Sequence, residues 1–283
     1  MPSIIRIVPN DNYSESFGFQ WNKFAKTQLD SYSGFSITSD RFYRVTKWRK
    51  EDLKGSKILE VGSGAGRFTE VVVQTGAELH SVEYSGAVDA NYKNNGHYPN
   101  LQLYQASLYE MPFEKESFDK IFCLGVLQHT PDVKQSFNAL LPFLKKGGEI
   151  AVDVYSKNWK SYFYSKYWVR PVTKRMKKET LLLLIQSYIP IWFPVSSLLL
   201  RIPYIGKFLA QIIPICNYSL QYPYMSKPQL IEWAILDTFD MLSPEYDQRQ
   251  NLPTLKNWME EADLDIIYCG KGDNGYVGLG RKK

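Results

Sequence analysis

The passage that most constrains the fold is KILEVGSGAG, from Lys57 to Gly66. A short apolar run ends on Glu60 and Val61 and breaks into Gly62, Gly64 and Gly66. Aliphatic and β-branched residues over so short a stretch read as a buried strand. The glycines that follow read as a tight turn, because glycine takes positive φ freely and lets a ligand approach the backbone. A helical run then reaches about Gly76. Strand, glycine turn and helix form the opening unit of a parallel α/β sheet, and such sheets bind ligands at the carboxyl ends of their strands.

The alternation continues down the chain. LHSVEY (79–84), LQLYQAS (101–107), KIFCLG (120–125) and EIAVDVY (149–155) read as further strands. Helices are predicted over Gly86–Asn95 and Val133–Leu144, the second stopping at Lys145-Lys146-Gly147-Gly148. The order breaks from about 156 to 240. It resumes with a helix at Leu255–Ala262, then DIIYCG (265–270) and YVGLG (276–280), which read as an antiparallel hairpin. Residues 1–50, polar and aromatic, read as short helices. The expected fold is therefore α/β: a Rossmann-like, mostly parallel sheet with a closing antiparallel hairpin and a helical insertion or lid after strand five. The expected segments are 1–50 (N-terminal helices), 51–155 (core), 156–240 (insertion) and 241–283 (end of the core sheet).

The spacing of the glycines narrows the ligand. A dinucleotide site uses GxGxxG, whose third glycine and helix N-terminus serve a pyrophosphate. This chain has an acidic residue followed by GxGxG. That suits S-adenosylmethionine (SAM), which has no phosphate but carries a sulfonium and a zwitterionic tail. Glu60 can face the tail's ammonium, and Glu83, ending the second strand about twenty residues on, can accept both ribose hydroxyls.

These residues resemble the class I SAM-dependent methyltransferases, especially the branch typified by ubiquinone and menaquinone methylation enzymes (the type 11 domain). ILEVGSGAGRFT resembles the family's first motif, VEYS its second, QASLYEMPFEKESFDKIFCLGVLQHTPD its third and fourth, and LKKGGEIAVDVY its fifth strand with the turn before it. The resemblance implies that Glu60, Gly62, Ser63 and Gly64 hold the SAM tail and Glu83 the ribose. Tyr84 would pack on the adenine, with the Ser107 side chain and Leu108 amide at its edge. Leu124 would place its carbonyl near the sulfonium, with Gln128 close by. Ser107 departs from the family, which usually has Asp there. The product would be S-adenosylhomocysteine.

In such chemistry the cofactor carries the hard step, and the protein aligns the acceptor and removes a proton. His129, following strand four, is the candidate general base because its ordinary pKa is close to working pH. Tyr155 and Tyr246 are candidate substrate contacts, and Phe17, Phe19, Gln20 and Trp21 could close over the cofactor.

The insertion is the least conventional part. A basic aromatic stretch holding Lys174, Arg175, Lys177 and Lys178 precedes one of the most apolar runs of the chain. A membrane span needs about twenty apolar residues. Gln186, Ser187, Pro190, Pro194, Ser196 and Ser197 interrupt the run, so a lid or a peripheral membrane contact through 160–215 is expected instead. The acceptor class is then a small molecule, a sugar or a lipid-linked intermediate. A nucleic-acid methyltransferase is disfavoured, since Leu124-Gly125-Val126-Leu127 stands where base-amine enzymes carry Asn/Asp-Pro-Pro-aromatic. A non-catalytic SAM-binding protein is the other alternative. Three scattered cysteines and three scattered histidines show no metal-ligand spacing. The N-terminus lacks the apolar core of a signal peptide, so a cytoplasmic setting is expected, free or membrane-associated.

Overall fold

The computed structural model describes residues 3–8, 13–157 and 163–283. They form two compact units, Met1–Lys157 with Tyr246–Lys283, and Asn158–Glu245.

The first unit is built on one eight-stranded sheet in the order β1-β4-β3-β2-β5-β6-β8-β7. Its strands are β1 (Ile4–Arg6), β2 (Lys57–Val61), β3 (Glu78–Glu83), β4 (Leu101–Gln105), β5 (Phe118–Cys123), β6 (Leu144–Tyr155), β7 (Leu264–Lys271) and β8 (Gly275–Lys282). The pairs from β1 to β6 are parallel, whereas β8 runs antiparallel to both β6 and β7. The chain steps outward from β2 to β3 and β4, then returns to place β5 on the other side of β2. That reversal opens a crevice at the carboxyl ends of β2 and β5.

Helices cover both faces: α1 (Glu15–Lys23), α2 (Asp30–Ser33), α3 (Ile37–Thr46), α4 (Arg67–Val73), α5 (Val88–Asn95), α6 (Val133–Leu140) and, late in the chain, α11 (Leu252–Glu261). The central strands are apolar without alternation because both their faces are buried. Ile58 joins Phe42, Phe68, Val72 and Phe122 on one face, and Leu59 joins Ile121, Phe137 and Leu140 on the other. In β2 successive side chains thus serve opposite layers.

Two expectations about local structure need correction. The N-terminal segment contributes a strand, Ile4–Arg6, paired with Leu103–Gln105 at the sheet edge; three residues are too few for periodicity to reveal. The helix expected to reach Leu144 ends at Leu140, and Lys145-Lys146-Gly147-Gly148 belongs to β6. Pro142 explains the early stop: it has no N–H to continue the α-helical ladder, so the chain, still helical at Leu141 (φ −62°, ψ −36°), tightens into a 3-10 turn over Leu141–Phe143 before β6.

The second unit is helical: α7 (Ser165–Thr173), α8 (Lys178–Leu200), α9 (Gly206–Ala210) and α10 (Lys227–Leu242). A capping box starts α10, with Ser226 Oγ accepting from Gln229 N and Gln229 Oε1 accepting from Ser226 N. At its other end the Arg170 guanidinium donates to the carbonyls of Met241 and Pro244, each at 2.9 Å. A cation there satisfies carbonyls that the helix leaves unpaired and meets the negative end of its dipole. One side of α8 packs on α10.

Candidate functional site

The glycine loop after β2 is held by backbone bonds and by one helix face. Gly62 N and Ser63 N both donate to Val82 O, at 2.7 and 3.3 Å, fastening the loop to β3. Gly62 has φ +79°, and a Cβ there would lie 2.2 Å from Val126 Cγ2. Gly66 has φ +87°, and a Cβ there would lie 2.1 Å from Asn91 Oδ1. Both positions therefore require glycine on conformation and on space. Asn95 Nδ2 donates to Gly66 O at 3.0 Å, and Asn94 Nδ2 to Ala65 O at 2.8 Å. The asparagines of α5 clamp the loop, a role the sequence reading missed. Their spacing at 91, 94 and 95 puts them on one helical face, which was the available signal.

Glu83, at the end of β3, is 7% exposed. Its Oε2 accepts from Gly64 N at 2.8 Å, and its Oε1 from Ser85 N and Ser85 Oγ at 2.9 and 2.7 Å. The expected ribose carboxylate and the expected tail loop are thus bonded directly to each other. Trp21 of α1 lies over the loop, its Nε1 3.1 Å from where a Gly64 Cβ would stand. Asn22 Nδ2 donates to Gly86 O at 2.8 Å, anchoring α1 to the turn after β3.

Glu60 is buried within the same unit. Its Oε2 accepts from Thr69 Oγ1 of α4 at 2.5 Å and from Ser81 Oγ of β3 at 2.9 Å. Its Oε1 has no hydrogen-bond partner. Burial pushes its carboxyl up to about 7, against the opposing effect of the two hydroxyls. The folded, unliganded protein therefore holds this proton between the ordinary value of 4.5 and about 7, while the unfolded chain has lost it. Stability is expected to fall as pH rises through that window, by on the order of 3 kcal/mol. Thermal unfolding of the unliganded protein from pH 5 to 8 checks this: Glu60→Gln should flatten the decline. An unchanged slope in the variant would assign the decline to another group.

At the end of β5, Leu124 is 4% exposed, and Gly125 N donates to Asp153 Oδ1 of β6. Asp153 Oδ2 accepts from Arg41 Nη2 of α3 at 3.1 Å, with both side chains largely buried. This pair ties the N-terminal helices to the site, and neither residue was anticipated, since an Arg and an Asp 112 positions apart share no motif. Gln128 is fully buried, and neither atom of its amide has a partner. His129 Nδ1 lies 2.9 Å from Tyr246 O. A carbonyl only accepts, so Nδ1 carries the proton of the neutral ring and Nε2 holds the lone pair. The rings of Phe17 and Tyr155 pack edge-on against His129 at 5.1 and 5.4 Å.

Tyr84 packs against Tyr13 at 5.1 Å, and Tyr13 packs in turn against Tyr246 at 5.6 Å. Tyr13 was not anticipated; burial and the nearby Tyr109, Tyr84, Glu83 and Tyr246 hold its hydroxyl well above the usual range. Tyr84, Tyr246, His129 and Tyr155 are thus gathered into one aromatic edge. Gln248 fixes the Tyr246 segment by donating from its backbone N to Gln128 O and from its side chain to Thr130 O, both at 2.8 Å. Ser107 caps its own turn, its Oγ accepting from Tyr109 N at 3.2 Å, and Leu108 is buried. Among the described residues no group of three His, Cys, Asp or Glu could hold a metal ion.

Whether these residues suit SAM can be tested on the orphaned polar atoms. Glu60 Oε1, Ser63 Oγ and the Gln128 amide are buried without partners. Leaving such groups unpaired costs about 1–3 kcal/mol each. A ligand with an ammonium, a carboxylate and hydroxyls offers both donors and acceptors, so the set fits it.

Sheet order, glycine loop and acidic strand end together define the Rossmann-like fold of the class I SAM-dependent methyltransferases. Residues 59–152 match the family model described as a methyltransferase domain, so the chain carries such a domain. It is 30% identical over 115 residues to the ubiquinone biosynthesis O-methyltransferase of Coxiella burnetii, covering 40% of this chain and 49% of that protein. The enzyme of the same name from Nitrobacter winogradskyi is 31% identical over 111 residues, covering 39% and 42%. The chain thus spans about half the length of the curated relatives it matches. A solved complex between the Haloferax volcanii Trm112 methyltransferase activator and a methyltransferase contains a chain of like fold, with TM-score 0.51, 10% identity, and coverage of 94% of this chain and 96% of that one.

Proposed function

We propose that the protein transfers a methyl group from SAM to a nucleophilic atom of a small molecule, a sugar or a lipid-linked intermediate. The observation that carries this reading is the bond between Gly64 N and Glu83 Oε2 at 2.8 Å, which joins a glycine loop without a pyrophosphate cradle to a ribose-type carboxylate. Gly62, Ser63 and Gly64 would hold the amino-acid tail, with Glu60 behind them. Glu83 would hold the ribose, Tyr84, Ser107 and Leu108 the adenine, and Leu124 and Gln128 the region of the sulfonium. When bound, SAM supplies a methyl group on a sulfonium, an activated leaving group that departs as a neutral thioether.

His129 would accept the acceptor's proton at Nε2, held in that tautomer by the carbonyl of Tyr246. Tyr155 and Tyr246 would border the acceptor, and the aromatic edge would keep water away. The names of the curated relatives, O-methyltransferases, support an oxygen nucleophile. The long apolar helix α8 of the Asn158–Glu245 unit favours a lipid-linked acceptor.

The test is release of S-adenosylhomocysteine on incubation with SAM and phenolic, sugar or prenyl-linked acceptors. Turnover on one class would support the reading. With that acceptor, His129→Asn is expected to lower kcat by roughly 10²–10⁴-fold while SAM affinity stays unchanged. An equal loss of SAM affinity would instead make His129 a structural tie to the Tyr246 segment.

A further inference from the structure

The Asn158–Glu245 unit leaves a large apolar face in the open. Helix α8 turns Leu181, Leu182, Ile185, Ile189 and Phe193 inward, none more than 4% exposed. At about 100° per residue, Leu183, Leu184, Ile191, Val195 and Leu198 lie on the opposite side, 41–69% exposed. The exposed polar residues between Thr180 and Leu200 are Thr180, Gln186 and Ser187, and no charged residue occurs there. A helix facing water normally carries charge there. The exposed apolar run continues beyond α8 through Ile202, Tyr204, Ile205, Phe208 and Ile212. Contiguous patches of this kind mark interaction surfaces.

Charge selects the partner. Residues 163–226 hold eight Lys or Arg and one Asp or Glu, +7 within a chain total of +5, so the remainder of the chain is net −2. Exposed Arg175 and Lys177 precede α8, and exposed Arg201 and Lys207 follow it. Cations thus stand at both ends of an uncharged apolar stretch. Trp168 and Trp192, 59% and 46% exposed, supply the amphipathic rings that favour headgroup depth. By length and composition α8 is also long enough to cross a membrane. Its inward side is already packed on α10, however, and a span would strip that packing.

We infer that this face docks on an anionic phospholipid bilayer, with α8 lying in the plane of the interface and the flanking cations on the headgroups. Of the stretch 160–215 expected to meet a membrane, residues 160–162 lie outside the described residues. The inference goes beyond the proposed chemistry and holds whichever acceptor is methylated.

Flotation of the full chain with phosphatidylcholine vesicles, with and without about a third phosphatidylglycerol, tests it. The chain should float with the anionic vesicles, weakly or not at all with the neutral ones, and less as salt rises. Arg175→Glu with Lys177→Glu should reduce flotation at least about tenfold, as should Leu183→Ser with Ile191→Ser and Leu198→Ser. SAM affinity, measured on the same samples, should be retained in both variants; this controls for folding and separates failure here from failure of the methyl-transfer reading. Equal flotation with neutral vesicles, none with either, or a dimer that buries the face without binding lipid would overturn it. So would resistance of the cell-expressed protein to alkaline extraction, the mark of a span.

Discussion

Glu83→Ala is expected to weaken binding of SAM and S-adenosylhomocysteine by at least about a hundredfold. Two effects combine. The carboxylate proposed to accept from the ribose hydroxyls is lost, and bonds to a charged group contribute about 1.5–3 kcal/mol each. Gly64 N, Ser85 N and Ser85 Oγ also lose their partner, so the loop relaxes at the point where the tail would lie. Calorimetric titration checks the size of the loss. Glu83→Gln separates the two effects: it keeps an acceptor for Gly64 N while losing the charge, so its affinity should fall between wild type and Ala. A wild-type affinity in either variant would remove Glu83 from the site.

The second large effect is on folding as well as binding. Gly62→Ala forces a side chain into φ +79° and puts its Cβ 2.2 Å from Val126 Cγ2. The left-handed conformation costs about 1–2 kcal/mol, and overpacking adds typically 1–3. For a domain of this size that corresponds to a fall in Tm of roughly 10 °C, with SAM binding lost because the loop must move. Adding Val126→Ala removes the methyls at 2.2 and 2.8 Å but leaves Cβ at 3.0 Å and the backbone strain, so it should restore part of the Tm. Full recovery would mean that the conformation costs nothing; no recovery would mean that Val126 is not the obstacle.

The parallel core was legible because each strand is an apolar run bounded by turn signals, and the loop was legible because its glycines are forced by backbone geometry. What tertiary contact alone creates was not. Arg41 and Asp153 meet only through the fold. The α5 asparagines resemble an ordinary polar helix face until the loop is laid beneath them. Tyr13 lies between β1 and α1 and belongs to no motif. The reading of Glu60 as facing the tail's ammonium could not anticipate that Thr69 and Ser81 take one of its oxygens. In the Asn158–Glu245 unit, composition announced apolar helices but could not say that α8 would bury one side and leave the other, equally apolar, exposed. A helix apolar all round has no moment from which to read its buried face.

The most direct measurement is calorimetric titration of the full chain with SAM, S-adenosylhomocysteine and NAD. The GxGxG loop joined to Glu83 is expected to bind SAM and its product at about micromolar Kd, about 8 kcal/mol of binding free energy, and to show no heat with NAD. Binding of NAD without SAM would contradict the assignment and make the loop between β2 and α4 a dinucleotide site.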